Sequence, residues 1–170
     1  MTLQWIGAIL IIAGCGGVGF GMALNYRREE NALRQLLQVL EMFCCELDYR
    51  MTPLPELFRK AIQATSGHLS KFFEALTREL EKQSDPDASR CVGAVLRNSR
   101  DLPASVFFAL ADLGRNLGEY DLQGQLVGIR AVARACQRQL EVLESNRPQR
   151  IRSFQTLGLC AGAALAILLL

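Results

Sequence analysis

Two uncharged, apolar runs enclose a middle segment that holds every charged residue of the chain. The first run, residues 3–24, reads LQWIGAILIIAGCGGVGFGMAL, and the second covers residues 154–170. At about 1.5 Å per residue, a helix over the first run would be about 33 Å long, enough to cross a hydrocarbon core of about 30 Å. The pattern therefore predicts transmembrane helices at 3–24 and 154–170, joined by one domain over residues 25–150.

Apolar residues in the middle segment recur at steps of three and four, the spacing of amphipathic helices. The first stripe runs from Leu33 to Leu47 and extends the N-terminal helix to about Arg50. Five further stripes follow, and no segment alternates with a period of two. The sequence predicts an all-α protein, with a bundle of about six helices between the N-terminal and C-terminal transmembrane helices.

Residues suited to helix ends separate these stripes. We expect Thr52 to cap the second helix, with Pro53 at its first helical position, where the missing N–H would be unpaired in any case. A break at 65–68 places His68 in a turn before the third helix. The other predicted caps are the turn at 84–87, Gly118 after the fifth helix and Asp121 before the sixth.

Arginines at the inner edges of both apolar runs predict the orientation. Arg27 and Arg28 follow the first run, whereas Arg147, Arg150 and Arg152 precede the second. The segments outside the two runs carry no charged side chain. By the positive-inside rule, the domain is expected in the cytoplasm and both termini on the opposite side of the membrane.

Small residues recur at every fourth position of both predicted spans. Such spacing places them on one helix face, where they allow two helix backbones to approach closely. The spans could pack on each other or on another membrane subunit; alternatively, glycine is simply commoner in transmembrane helices. The residues are Ala13, Gly17 and Gly21 in the first span and Gly158, Gly162 and Ala166 in the second.

The glycines of the first run also match a dinucleotide-binding fingerprint, GxGxxG, over Gly14–Gly19. That motif requires a strand before the glycines, a helix after them and a second strand ending in an acidic residue. Here the apolar run continues to Leu24, and the charged, helix-patterned residues that follow offer no such strand. A dinucleotide-binding enzyme is therefore the alternative to a membrane-anchored interaction protein.

Composition and motifs indicate no catalytic chemistry. The net charge of +2 gives no electrostatic reason to expect nucleic acid as a partner. The six cysteines lack zinc-site spacing and are interpreted as small buried apolar residues, and the single histidine, His68, has no obvious catalytic partner. Glu46, Asp48 and Glu56 could form a paired-carboxylate site, but solvated helix ends explain them better. No cofactor or metal is expected.

Several segments resemble the stage III sporulation protein AB family. The resemblance extends over the whole chain with the same spacing between motifs, and it is weakest at 67–102. The first motif is the apolar segment 6–14 with the glycines that follow it. The second comprises Leu40-Glu41, Glu46–Tyr49 and Thr52–Glu56. The third comprises Leu113-Gly114, Leu117-Gly118, Asp121 and Gln125, and the fourth is the tail with Leu157-Gly158, Gly162 and the terminal leucines.

This resemblance implies a non-enzymatic scaffold, related to the cytoplasmic helical domain of type II secretion F platform proteins. Family members belong to a channel complex that joins mother cell and forespore during endospore formation. The expected location is the mother-cell membrane, and the expected partners are the lipid bilayer, other channel subunits and a secretion-type ATPase; a homo-oligomer is possible. Candidate contact residues are Glu46, Tyr49, Thr52, Pro53, Glu56, Gly114, Gly118, Asp121 and Gln125, although a role in fixing caps and turns is the favoured explanation of these residues.

Overall fold

The computed structural model describes the backbone of residues 2–50, 52–82, 87–99, 101–117 and 123–145. Side chains are described over the same ranges except for residues 2–20, 22 and 23. All regular secondary structure in these ranges is helical, which confirms the predicted all-α fold. The six helices are α1 (Thr2–Arg50), α2 (Leu54–Ala64), α3 (Gly67–Lys82), α4 (Ala88–Asn98), α5 (Ala104–Asn116) and α6 (residues 123–145).

The chain divides into two compact units. One comprises Met1–Arg28 and Val142–Leu170, and the other comprises Glu29–Glu141. In the described part of the first unit, the Tyr26 hydroxyl donates a hydrogen bond of 3.1 Å to the backbone oxygen of Leu143. This bond joins residues far apart in the sequence and ties α1 to α6 within that unit.

The predicted membrane spans remain predictions. Among the residues that the structure describes, no helix has the length and apolar character needed to cross a bilayer. The side chains of the 3–24 run lie almost entirely outside the described set, and the 154–170 run lies wholly outside it. The packing faces predicted at Ala13, Gly17 and Gly21 and at Gly158, Gly162 and Ala166 therefore stay predictions.

A cluster of phenylalanines forms the core of the second unit at the meeting of α1, α2 and α3. Phe43, Phe58 and Phe73 are fully buried, with ring centroids 5.9–6.3 Å apart. Leu36 and Leu40 of α1 are also fully buried. The three- and four-residue stripes read from the sequence therefore face this core, because only one face is apolar in α2, in α3 and in the part of α1 that follows the 3–24 run.

Helices α4 and α5 approach each other closely at Gly114. A Cβ placed on this glycine would lie 2.6 Å from Cγ1 of Val92. The residue is buried, so glycine is required here by the approach of the two helices rather than by its backbone conformation.

The predicted helix boundaries are partly confirmed. Asp87 caps α4 as expected, with its carboxylate accepting from the backbone N–H groups of Ser89 and Arg90. The cap predicted at Thr52 is wrong: Pro53 is the N-cap of α2 and no side chain caps this helix.

The predicted turn at His68 is also wrong, because α3 begins at Gly67, whose φ of 66° lies in the left-handed region that favours glycine. Helix α5 ends at Asn116 with Leu117 as its C-cap. Gly118 and Asp121, predicted to cap the neighbouring helix ends, lie outside the described residues.

The GxGxxG segment does not have the context of a dinucleotide site. Gly14–Gly19 lie inside the continuous helix α1, with helical residues before and after them. A strand-to-helix turn, on which phosphate binding by this motif depends, is therefore absent from this segment.

Candidate interaction site at the α1–α2 corner

A network of polar contacts holds the corner where α1 turns into α2, and Glu46 is its centre. The Thr52 hydroxyl donates to Oε2 of Glu46 over 2.7 Å, and Nζ of Lys60 lies 2.8 Å from the same oxygen. Nη1 of Arg50 lies 3.5 Å from the other carboxylate oxygen. The backbone N–H of Thr52 also donates to the Glu46 carbonyl. Both the direction of the chain and the position of α2 are thereby fixed.

These contacts favour the charged form of Glu46. Hydrogen bonds from Lys60 and then from Thr52 lower the pKa of this carboxyl below its usual range, although partial desolvation acts in the opposite direction. The carboxylate is thus ionised, and its oxygens already accept hydrogen bonds from these partners. A residue in this state positions its neighbours and is poorly suited to act as a general base.

Tyr49 lies on the outer side of this corner. It is 85% exposed, more than any other large hydrophobic residue among those described. Pro53 and Glu56 are also exposed, whereas Thr52 is buried. The corner therefore exposes a proline, a carboxylate and an aromatic ring on a backbone that the contacts of Glu46 hold in place. Exposed aromatic side chains on a rigid support are typical anchors of protein–protein contacts.

The start of α6 lies next to the same region of α1. Nη2 of Arg130 is 3.2 Å from Oδ2 of Asp48, and Arg130 also forms a hydrogen bond with Cys44. Gln125, a candidate residue of the second motif, belongs to α6 and is half-buried. Gly114, by contrast, is buried against Val92, and the remaining two candidates, Gly118 and Asp121, lie outside the described residues.

Sequence spacing revealed only part of this site. The pairing of Glu46 with Arg50 was predictable, because residues four apart on a helix are neighbours. Lys60 and Arg130 were missed, since each reaches α1 from another helix and no local pattern indicates that approach. Their only sequence signal is a basic residue on the polar face of an amphipathic helix.

The four cysteines among the described residues are free thiols that differ in exposure. Cys91 and Cys136 are buried as expected, Cys44 is half-buried and Cys45 is exposed, contrary to the expectation of burial. Burial raises the pKa of the Cys44 and Cys91 thiols and raises that of Cys136 to about 11. Within the described part of the chain, no three His, Cys, Asp or Glu side chains are grouped so that they could hold a metal ion.

Fold and site together define an all-α helical-bundle protein with an ordered, charged corner and an exposed aromatic side chain. The family model for stage III sporulation protein AB matches residues 4–170. The chain therefore belongs to the stage III sporulation protein AB family, which assigns it a role in sporulation. The stage III sporulation protein AB of Bacillus subtilis (strain 168) is 25% identical over 170 residues, 99% of each chain. No solved structure matches the chain.

Proposed function

We propose that the protein is a non-enzymatic platform subunit of the channel complex between mother cell and forespore. In this proposal, the 3–24 and 154–170 segments anchor it in the mother-cell membrane. The helical domain lies in the cytoplasm and docks a secretion-type ATPase through the α1–α2 corner. Support comes from the family assignment, from the charge pattern of the sequence and from the resemblance to type II secretion F proteins.

The proposal of a docking site rests on a single observation, the exposure of Tyr49 next to the Glu46 network. A ring that is 85% exposed contributes little to the fold of its own chain. Because Glu46 binds both Thr52 of the connection and Lys60 of α2, the corner needs little reorganisation to receive a partner. Preorganisation of this kind reduces the entropic cost of association.

The test is binding of the purified ATPase to the full-length chain in detergent, with Tyr49→Ala compared with wild type. Truncation of an interface aromatic anchor costs about 2 kcal/mol or more, so we expect affinity to fall roughly 30-fold. Tyr49→Phe keeps the ring and should retain most of the binding.

Val127→Ala is the matched control, because Val127 is also strongly exposed, at 61%, but lies on α6. It should bind like wild type. Equal affinities for wild type and Tyr49→Ala would exclude the corner as the docking site, and the family role in sporulation would still stand.

A further inference from the structure

A groove lies between α3 and α4 of the second unit, and its volume is about 440 Å³. This volume is within the roughly 300–1,000 Å³ of clefts that accept ligands. The buried side chains of Phe72 and Val95 form its floor, and the half-buried Ala75 and Ala94 are too short to fill the space between the helices. We call this feature the α3–α4 groove. Its floor suits an apolar side chain, because such a group is stabilised by leaving water.

Most charged side chains that line the α3–α4 groove have a partner of opposite sign, and Lys71 is the exception. Lys71 is exposed on α3, one turn before Ala75, and it forms no ion pair with the described residues. Its positive charge is therefore available to a ligand beside the apolar floor. The paired side chains are Lys82 with Glu79 at 3.6 Å, Arg78 with Glu74 at 3.6 Å and His68 with Asp101 at 4.0 Å.

One available cation beside an apolar floor favours a ligand that carries one carboxylate next to an apolar group. The carboxylate would pair with Lys71, and the apolar group would cover Phe72 and Val95. A ligand with several negative charges, such as a nucleic acid, fits less well. Glu79 and Asp101 also line the groove and would repel the additional charges.

The shape of the α3–α4 groove favours an extended peptide segment. At 1.5 Å per residue, the stretch of α3 from Lys71 to Lys82 is roughly 16 Å long. An extended chain rises about 3.3 Å per residue, so about five residues fit along it. A lipid bilayer presents a flat surface, which does not reach a floor between two helices. A twofold contact with a second copy would bring the same unpaired positive charge from both sides.

We propose that the α3–α4 groove binds a short extended segment of a partner protein, in which a single Asp or Glu side chain adjoins a large apolar one. Lys71 pairs with the carboxylate, and the apolar side chain packs on Phe72 and Val95. This contact uses α3 and α4 and is independent of the ATPase docking proposed at Tyr49. It gives the helical domain a second contact that selects its partner by charge.

The test is fluorescence anisotropy with the full-length chain in non-ionic detergent and rhodamine-labelled synthetic peptides of about five residues. One peptide has a central glutamate between leucine and phenylalanine, and in two others glutamine or lysine replaces that glutamate. Wild type should bind the glutamate peptide about tenfold more tightly than the glutamine peptide, because only the carboxylate forms an ion pair with Lys71.

Reversing the charge at Lys71 tests the ion pair directly. Lys71→Glu should bind the glutamate peptide about tenfold more weakly than wild type does and should bind the lysine peptide more tightly. Arg138→Glu is the matched control, because it makes the same change in net charge at an exposed position of α6 outside the groove. It should bind all three peptides like wild type.

Filling the groove supplies a second, independent readout. Ala75→Trp should abolish binding of the glutamate peptide, whereas Ala64→Trp, exposed at the end of α2 outside the groove, should leave it unchanged. Thermal melting of both variants checks that they fold. Tyr49→Ala should bind the peptide like wild type, so this contact can fail without any consequence for the docking at the α1–α2 corner.

Three results would overturn the proposal. The first is that wild type binds none of the peptides or binds the glutamate and glutamine peptides equally. The second is an equal loss of binding in Lys71→Glu and Arg138→Glu, since only net charge would then matter. The third is that Lys71→Glu changes the oligomeric mass of the protein and leaves peptide binding intact, since a second copy would then occupy the groove.

Discussion

At the scale of single residues, Glu46 shows how one carboxylate can order a helix connection. It is in the last two turns of α1, yet it accepts from Thr52 in the connection and contacts Lys60 in α2. The Thr52 hydroxyl, which sequence rules assign to capping of α2, is used for this carboxylate instead. A charge-assisted hydrogen bond is stronger than a neutral one, so donation to the ionised carboxylate fixes the orientation of the Thr52 side chain, and no side-chain cap forms at α2.

The Glu46 network predicts a pH-dependent stability. Because its pKa is lowered in the folded protein, the stabilisation is present above the unfolded-state pKa of about 4.3 and is lost as pH falls through the folded-state value. Wild type should therefore melt above Glu46→Gln at pH 7, and the difference should shrink as pH falls below about 4. Thermal melting of the full-length chain in detergent at several pH values measures this.

Glu41→Gln is the control for that titration, because Glu41 is exposed within α1 and lies away from both ends of that helix. Its melting temperature should follow that of wild type across the whole pH range. A gap between wild type and Glu46→Gln that stays constant down to pH 3 would contradict the assigned role of the carboxylate.

Gly114 supplies a second residue-scale prediction. Its substitution by alanine would place Cβ 2.6 Å from Val92, and overpacking of this kind costs about 1–3 kcal/mol. Alanine favours a helix by up to about 1 kcal/mol over glycine, so the net effect should still be destabilising. Val92→Ala in the same chain should remove most of the clash, and a double-mutant cycle in thermal melting measures the coupling.

Gly93 is the matched control, since an added Cβ there meets nothing within 4 Å. Gly93→Ala should stabilise α4 by about 0.5–1 kcal/mol. If Gly114→Ala were as stabilising as Gly93→Ala, the close approach of α4 and α5 would not be real.

At the scale of elements, α4 depends on a single capping residue. Asp87 accepts from the N–H groups of Ser89 and Arg90 and also pairs with the Arg90 side chain. Asp87→Ala should cost about 1 kcal/mol, a fall of roughly 2–4 °C in melting temperature for a chain of this size. Asp87→Asn retains the capping oxygen and should lose less; equal losses would assign the effect to charge instead of capping.

The helices of the charged middle segment could be predicted from the sequence because each has a single apolar face there. The stripe from Leu33 to Leu47 marked the end of α1 correctly, and Asp87 marked the start of α4. The α1–α2 corner could be predicted only in its local pair, Glu46 with Arg50. Lys60 joins the network because the Phe43–Phe58 contact sets α2 beside α1, and this tertiary packing has no signature in residue spacing.

At the scale of the whole molecule, the proposed platform separates anchoring from contact. The predicted spans would hold position, and Tyr49 would meet the ATPase. Tyr49 is exposed on α1, whose opposite face is buried in the core. Such a division allows anchoring and contact to be removed one at a time.

The most direct test of the central claim is site-specific photo-cross-linking in sporulating cells. A photoreactive phenylalanine analogue replaces Tyr49 in the full-length chain, and the same analogue at Val127 serves as the control. We expect a covalent product with the channel ATPase from position 49 and none from position 127. Absence of this product from position 49, or equal products from both positions, would contradict docking through the α1–α2 corner.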